Sequence, residues 1–354
     1  MTDTAPPAHN SRIAYVLPSW LRFADSMAGR IVSAAALSMA VSALLVAVSG
    51  HNPFTAFAAM LNGALGSPHQ IGFALNRATP YLLAGSGVAL CFRAGVINIG
   101  AEGQIALGGV GAAAVALHFP TSLSVLAVVA ALAGGALFGA LWAALATAIH
   151  LGRRVHEVLT TLLLNFVALL LVQQTLAGPL GQFGAGFLQS PELPRPAWLW
   201  KVPEFGAHAG FAIALIAAAS LSLIVWRTPF GFSLRVAGSS RRAAAYAGFS
   251  APAITWSVML IAGALAGLAG AAEVLGVQHR LIEGFSLGFG FKAVTVALLA
   301  ALEPLAVAPA ALFVGMLEAG AQSMQRQIGV PSALVAVIEG MTMLFVLAAT
   351  VRRA

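Results

Sequence analysis

From residue 31 onward the chain returns repeatedly to uncharged apolar runs, and nothing else in it constrains the fold so tightly. Each run is about 18 to 25 residues long, which as helix crosses about 30 Å of hydrocarbon. Backbone amides and carbonyls inside a bilayer must be satisfied within the spanning segment, so repeated runs of this length demand helices. Composition agrees, with 60% hydrophobic residues, 8% charged residues and a mean hydropathy of +0.91. An ordinary soluble domain carries about 25% charged residues. The expected fold is an all-α, polytopic transmembrane helical bundle in a lipid membrane.

Run length, flanking charge and Gly/Pro punctuation place about ten spans, near residues 31–50, 73–92, 99–118, 123–149, 158–177, 208–226, 252–276, 287–302, 305–322 and 332–350. The eighth is the least regular, being Gly-rich at one end and stopped by Pro304. Residues 1–30 form a tail, 31–350 one membrane domain, and 351–354 a second tail. The first thirty residues lack the pattern of a cleaved signal peptide, so the first apolar run is expected to stay as an anchor.

Cationic residues set the orientation. With the N-terminus inside, twelve of the eighteen Lys and Arg fall on the cytoplasmic side, including Arg93, Arg153, Arg154, Arg227, Arg235, Arg241 and Arg242. Both termini are then cytoplasmic, which an even number of spans requires. The net charge of +7 is thus spread over short loops, and no basic patch suited to nucleic acid can be assembled. The stretch 178–210, with its prolines, Trp198 and Trp200, is expected at the outer interface.

Three stretches carry polar chemistry. Residues 92–109, FRAGVINIGAEGQIALGG, set Arg93, Asn98, Glu102 and Gln104 among glycines where apolar residues belong. A carboxylate in hydrocarbon costs about 2.5–3.5 kcal/mol or more, so Glu102 is expected to face a watery cavity or a partner such as Arg93. Gly95, Gly100 and Gly103 permit an interrupted helix lining a solute pathway. The competing reading is a buried polar network that fixes helix packing. In the loop 227–251, SSRRAAAYAG reads as a short surface helix capped by Ser239 or Ser240 and stopped by Gly248. At 152–165, His156 and Glu157 open a helix with Asn165 two turns further in.

Enzymatic readings find little. Ser86 has no histidine at comparable depth to activate it. The histidines show no metal spacing, and the single cysteine, Cys91, forms neither a disulfide within the chain nor a thiolate cluster. There is no GxxxxGK[ST] phosphate loop, so ATP hydrolysis of the P-loop kind would need another subunit. A self-sufficient secondary transporter or channel, with Glu102 or Lys292 as its ionisable group, is the alternative to an ATP-driven system.

These segments together resemble the permeases of bacterial ABC importers, in the branched-chain amino acid and ribose-type superfamily, and most closely the nucleoside and simple-sugar uptake permeases. The resemblance runs from about residue 30 to 350. It is carried by Ala78–Tyr81 with Phe92–Gln104, by Glu157–Asn165, by Thr228–Phe249, and by Gly288–Pro304. Lys292, Ala300 and Glu303 depart from the usual small or neutral residues of the last stretch. The resemblance implies an ABC importer permease fold in the inner membrane and a second permease subunit. It also implies an ATPase subunit holding ATP and Mg, an extracytoplasmic solute-binding protein, and no cofactor in this chain. Asn98, Glu102, Gln104 and Arg93 become expected residues of the translocation path. Arg235, Gly238, Ala244, Gly248 and Glu157 become expected residues of ATPase coupling.

Overall fold

A computed structural model describes residues 27–119, 122–286 and 288–350, with side chains described from Ser33. Most of the N-terminal tail and all of 351–354 lie outside the described residues. Thirteen α-helices follow in order: α1 Met27–Val48, α2 Pro53–Leu65, α3 Pro68–Arg93, α4 Ala101–His118, α5 Ser124–Arg153, α6 Glu157–Ala177, α7 Gly210–Arg227, α8 Pro229–Ser239, α9 Arg241–Tyr246, α10 Ala251–Glu273, α11 Phe289–Leu299, α12 Val307–Ile328 and α13 Ser332–Thr350. A π-helical turn, Val274–Gln278, extends α10.

Local signals explain many of the helix starts. Asn52, Ser67, Thr228, Ser240 and Ser250 each cap a helix through a side-chain oxygen, four of them followed at once or one residue later by proline. The short helix expected at 239–248 is α9, with Ser240 as cap and Gly248 at φ +79° behind it. Two helices escaped the sequence reading. One is α2, too short to span and set at 118° to α1; the other is α8, hidden inside what read as a loop.

All ten expected spans fall on helices. Five of the described helices are long and apolar enough to cross a membrane, namely α5, α6, α7, α13 and α10 with its π turn, or six if the bent pair α1–α2 is one span. The others differ for a visible reason. Helices α3, α4 and α12 carry polar residues toward protein neighbours, and α11, at 11 residues, is about 16 Å long. Outside the bundle, Leu141, Phe166, Leu170, Leu223 and Leu344 are all more than half exposed, a belt of apolar surface that belongs in lipid.

Helix α10 is largely buried and packs on α3, α4 and α5. Its Gly267 lies where a Cβ would come within 2.1 Å of the Gly135 carbonyl, and Gly108 and Gly139 approach its backbone as closely. This is the small-residue contact that lets membrane helices pack by dispersion when no hydrophobic force is available. Helix α3 joins this group to α12, which holds α2, while α13 packs on α1. At the end opposite Arg93, the stretch 178–210 folds over the bundle: Leu193, Ala197 and Leu199 are buried, and Ser190 and Leu193 pair with the backbone of Leu281 and His279.

A junction of two helix ends and a coupling corner

The Gly-rich segment falls at a break between two helices. Helix α3 ends at Arg93, residues 94–100 run without regular structure, and α4 begins at Ala101. The sequence expectation for Glu102 is corrected here: its partner is not Arg93. Glu102 is 1% exposed and accepts hydrogen bonds from the backbone N–H groups of Gly288, at 3.1 Å, and Gly290, at 2.7 Å. Its carboxylate thus caps the N-terminus of α11, where unpaired amides and the helix dipole favour negative charge. Gly290 makes this possible, because a Cβ there would lie 2.1 Å from the Glu102 nitrogen. Phe285 rests on Gly109 two turns along α4, so the chain approaches α11 antiparallel to α4. The first turns of α4 and α11 therefore meet at one carboxylate.

Asn98 and Gln104 are buried and face each other, with each amide nitrogen 3.3 Å from the other's oxygen. Asn98 also accepts from the Gly100 N–H at 2.9 Å. From α6, Asn165 donates to the Ile99 carbonyl at 2.8 Å and accepts from the Gly103 N–H at 2.9 Å, while the Thr161 hydroxyl accepts from Ile99 N–H. Backbone amides freed by breaking the helix are thereby satisfied by side chains, as a buried break requires. In this structure the two amides hold the loop rather than line an open cavity. Thr161 lies in the Glu157–Asn165 stretch that carried the resemblance, but a threonine in an apolar helix has no local signature that assigns it a role.

Arg93 turns to the predicted cytoplasmic end. Its Nε donates to the Leu302 carbonyl at 2.9 Å, and Nη2 reaches Glu303 at 3.2 Å. Arg235 is half-buried, with Nη1 on the Val225 carbonyl at the end of α7 and its guanidinium carbon 4.8 Å from the centre of the Trp226 ring. Gly238 abuts the Arg93 carbonyl, and Ala244 is the buried residue of α9. Around Ala244, Arg241, Arg242, Tyr246 and Gly248 are exposed. A cavity of about 130 Å3 opens between this corner, Gly95, His150 and the start of α10. Glu157 lies 3.7 Å from His150 of α5 and 3.9 Å from His156 at the opening of α6, so its carboxylate sits where the end of α5 meets the start of α6. Trp226 and Ser222, not singled out from sequence, stand at the centre of this corner.

Lys292, which looked like an isolated departure, is held by two carboxylates. It bonds to Glu318 of α12 and, at 3.0 Å, to Glu339 of α13, and Tyr81 of α3 donates to Glu318 at 2.5 Å. The Ser86 hydroxyl donates to the Leu82 carbonyl of its own helix at 2.7 Å.

Comparison with known proteins places the chain. Residues 70–347 match the family described as the branched-chain amino acid transport system, permease component. The chain is 34% identical over 317 residues to a guanosine ABC transporter permease of Bacillus subtilis, covering 88% of this chain and 90% of that one. It is also 34% identical over 342 residues to a glucose ABC transporter permease of Haloferax volcanii, covering 94% and 88%. A nucleoside ABC transporter permease of Lactococcus lactis is 28% identical over 316 residues, 86% of each chain. With helices built for a bilayer and a buried polar break between α3 and α4, the chain belongs to the branched-chain amino acid transport system permease family and is a multi-pass membrane permease subunit of an ABC transporter.

Proposed function

We propose that this permease serves an ATP-driven importer of the bacterial plasma membrane that carries nucleosides or chemically related simple sugars, with both chain termini in the cytoplasm. The observation that carries the reading is the near full-length similarity to permeases for guanosine, nucleosides and glucose. The charges of the chain fit an uncharged polar solute. Glu102, Arg93 and Lys292 each have hydrogen-bond or ion-pair partners within the chain itself. A fixed unpaired charge in the path would attract counter-ions instead.

The energy source is an ATPase subunit with ATP and Mg, docking on α8–α9 where Arg241, Arg242 and Tyr246 project around buried Ala244. Arg235 and Gly238 brace this surface from within. A second permease subunit completes the membrane core, and an extracytoplasmic binding protein delivers solute. Transport then proceeds by rigid-body exchange between inward-open and outward-open packings.

Proteoliposomes holding the chain with its second permease subunit, the ATPase and the binding protein test the reading. Labelled guanosine is expected to accumulate only with ATP and binding protein, and unlabelled uridine and glucose report breadth by competition. Accumulation by the chain alone, driven by an ion gradient and indifferent to ATP, would replace this reading with that of a secondary transporter.

A further inference from the structure

Helix α11 connects the Glu102 junction to the coupling corner. One end sits on Glu102. At the other the chain leaves through Ala301 and Leu302, both with positive φ, at +49° and +61°. Residues with a Cβ adopt that region at a cost, so surrounding contacts must hold the turn there. The turn presents the Leu302 carbonyl and the Glu303 carboxylate to the same guanidinium, Arg93. Glu303 also accepts the Ser222 hydroxyl at 3.0 Å and the Trp226 indole N–H at 2.9 Å to each oxygen. The Trp226 ring carries Arg93 at 5.1 Å and Arg235 at 4.8 Å. The last turns of α3 and α7 therefore close on one carboxylate in the turn between α11 and α12, and α8 joins them through Arg235 on the Trp226 ring.

We propose that Glu303 is a positioning residue of the transport cycle: it fastens α11 to the α7–α8 corner, so that movement imposed on α8–α9 travels along α11 to the junction at Glu102. The proposal rests on the reading that α8–α9 docks the ATPase. At about 16 Å, α11 is short enough to move as one rod. Its two ends are held by polar contacts to groups on different helices. A shift of the corner that keeps the Glu303 bonds must displace Gly288 and Gly290 relative to Glu102. The second link from the corner is the loop 94–100, which Gly238 and Arg241 touch at Arg93 and Gly95. Both routes converge on the same carboxylate.

The test uses the complete complex in nanodiscs and reads three quantities: ATPase subunit retained, basal ATP turnover, and solute moved per ATP hydrolysed with loaded binding protein. Glu303→Gln is expected to leave the first two within about twofold and to lower solute per ATP about tenfold or more, the ratio that one charge-assisted hydrogen bond controls. Trp226→Phe, which keeps an aromatic ring but removes the indole donor, is expected to act in the same direction and covers the case in which Glu303→Gln does not assemble. Normal solute per ATP in both variants would overturn the proposal. So would a fall in uptake matched by an equal fall in ATP turnover, which marks a merely structural contact. Arg241→Glu with Arg242→Glu separates the underlying reading: an ATPase still bound refutes docking at α9, whereas an ATPase released, together with normal Glu303→Gln, refutes only the clasp.

Discussion

Gly290→Ala offers the sharpest perturbation of the junction, because its cost follows from distances. A Cβ on Gly290 would lie 2.1 Å from the Glu102 nitrogen and 2.4 Å from its Cα, both main-chain atoms that cannot rotate away. Ordinary Cβ contacts begin at 3.4 Å, so the start of α11 must retreat by about 1.3 Å. A retreat of that size stretches the 2.7 Å bond from Gly290 N–H to Glu102 to about 4 Å, beyond hydrogen-bond range. Overpacking costs about 1–3 kcal/mol and loss of a hydrogen bond to a charged group about 1.5–3 kcal/mol, giving about 2.5–6 kcal/mol together. Gly288→Ala is the control. It has φ +92° and nothing within 4 Å of its Cβ, so it carries only backbone strain of about 1–2 kcal/mol. Unfolding by SDS titration in mixed micelles measures both variants, and uptake in proteoliposomes follows each. Equal losses at the two glycines would refute the close approach of α11 to α4, and with it the capping role of Glu102.

Three further outcomes are expected. Asn165→Ala leaves the Gly103 N–H and Ile99 carbonyl buried without their partner, at about 1–3 kcal/mol each, and should lower both stability and uptake; SDS titration showing no loss would contradict the brace. Lys292→Met abandons Glu318 and Glu339 to each other, costing about 3–5 kcal/mol, and membrane levels of the protein should recover when Glu318→Gln and Glu339→Gln are added; no recovery would contradict the ion-pair account. His279, in the loop after α10, has its pKa lowered from 6.5 by burial and by the Lys201 ammonium 3.1 Å away. Its neutral form is favoured in the folded state, so that contribution to stability is complete above pH 6.5 and is lost as pH falls below it. Thermal unfolding from pH 7.5 to 5 should show a steeper decline for the wild type than for His279→Asn, whose side chain tolerates the φ of +55°; parallel curves would exclude His279.

The local features were legible because they depend on neighbours in sequence. Apolar run length located a helix under each of the ten expected spans, and Ser240 and Gly248 bracketed α9. Clustered glycines with Asn98 and Glu102 marked the broken helix. Helix α2 was missed for a physical reason. Thirteen residues are too few to cross a bilayer, and its buried face, Ala56, Ala59, Gly63 and Ala64, is small rather than strongly apolar. Helix α8 hid behind Arg235 and Gly238, which read as loop residues until packing on Trp226 and Arg93 gave them partners.

Partner choice among charges was not legible, and the bilayer explains why. In hydrocarbon an ionised group is tolerated wherever any counter-charge or helix end can reach it, so its presence signals that a partner exists without saying which. Arg93 and Glu102 are nine residues apart and looked like a pair, yet Arg93 binds Glu303, 210 residues away, and Glu102 binds the amides of Gly288 and Gly290. Both of those targets lie in the Gly288–Pro304 stretch, at opposite ends of α11. The polar residues flanking the α3–α4 break thus hold both ends of α11. Substitutions at either end of α11 should therefore be felt at Glu102 before they are felt in the apolar helices that face lipid.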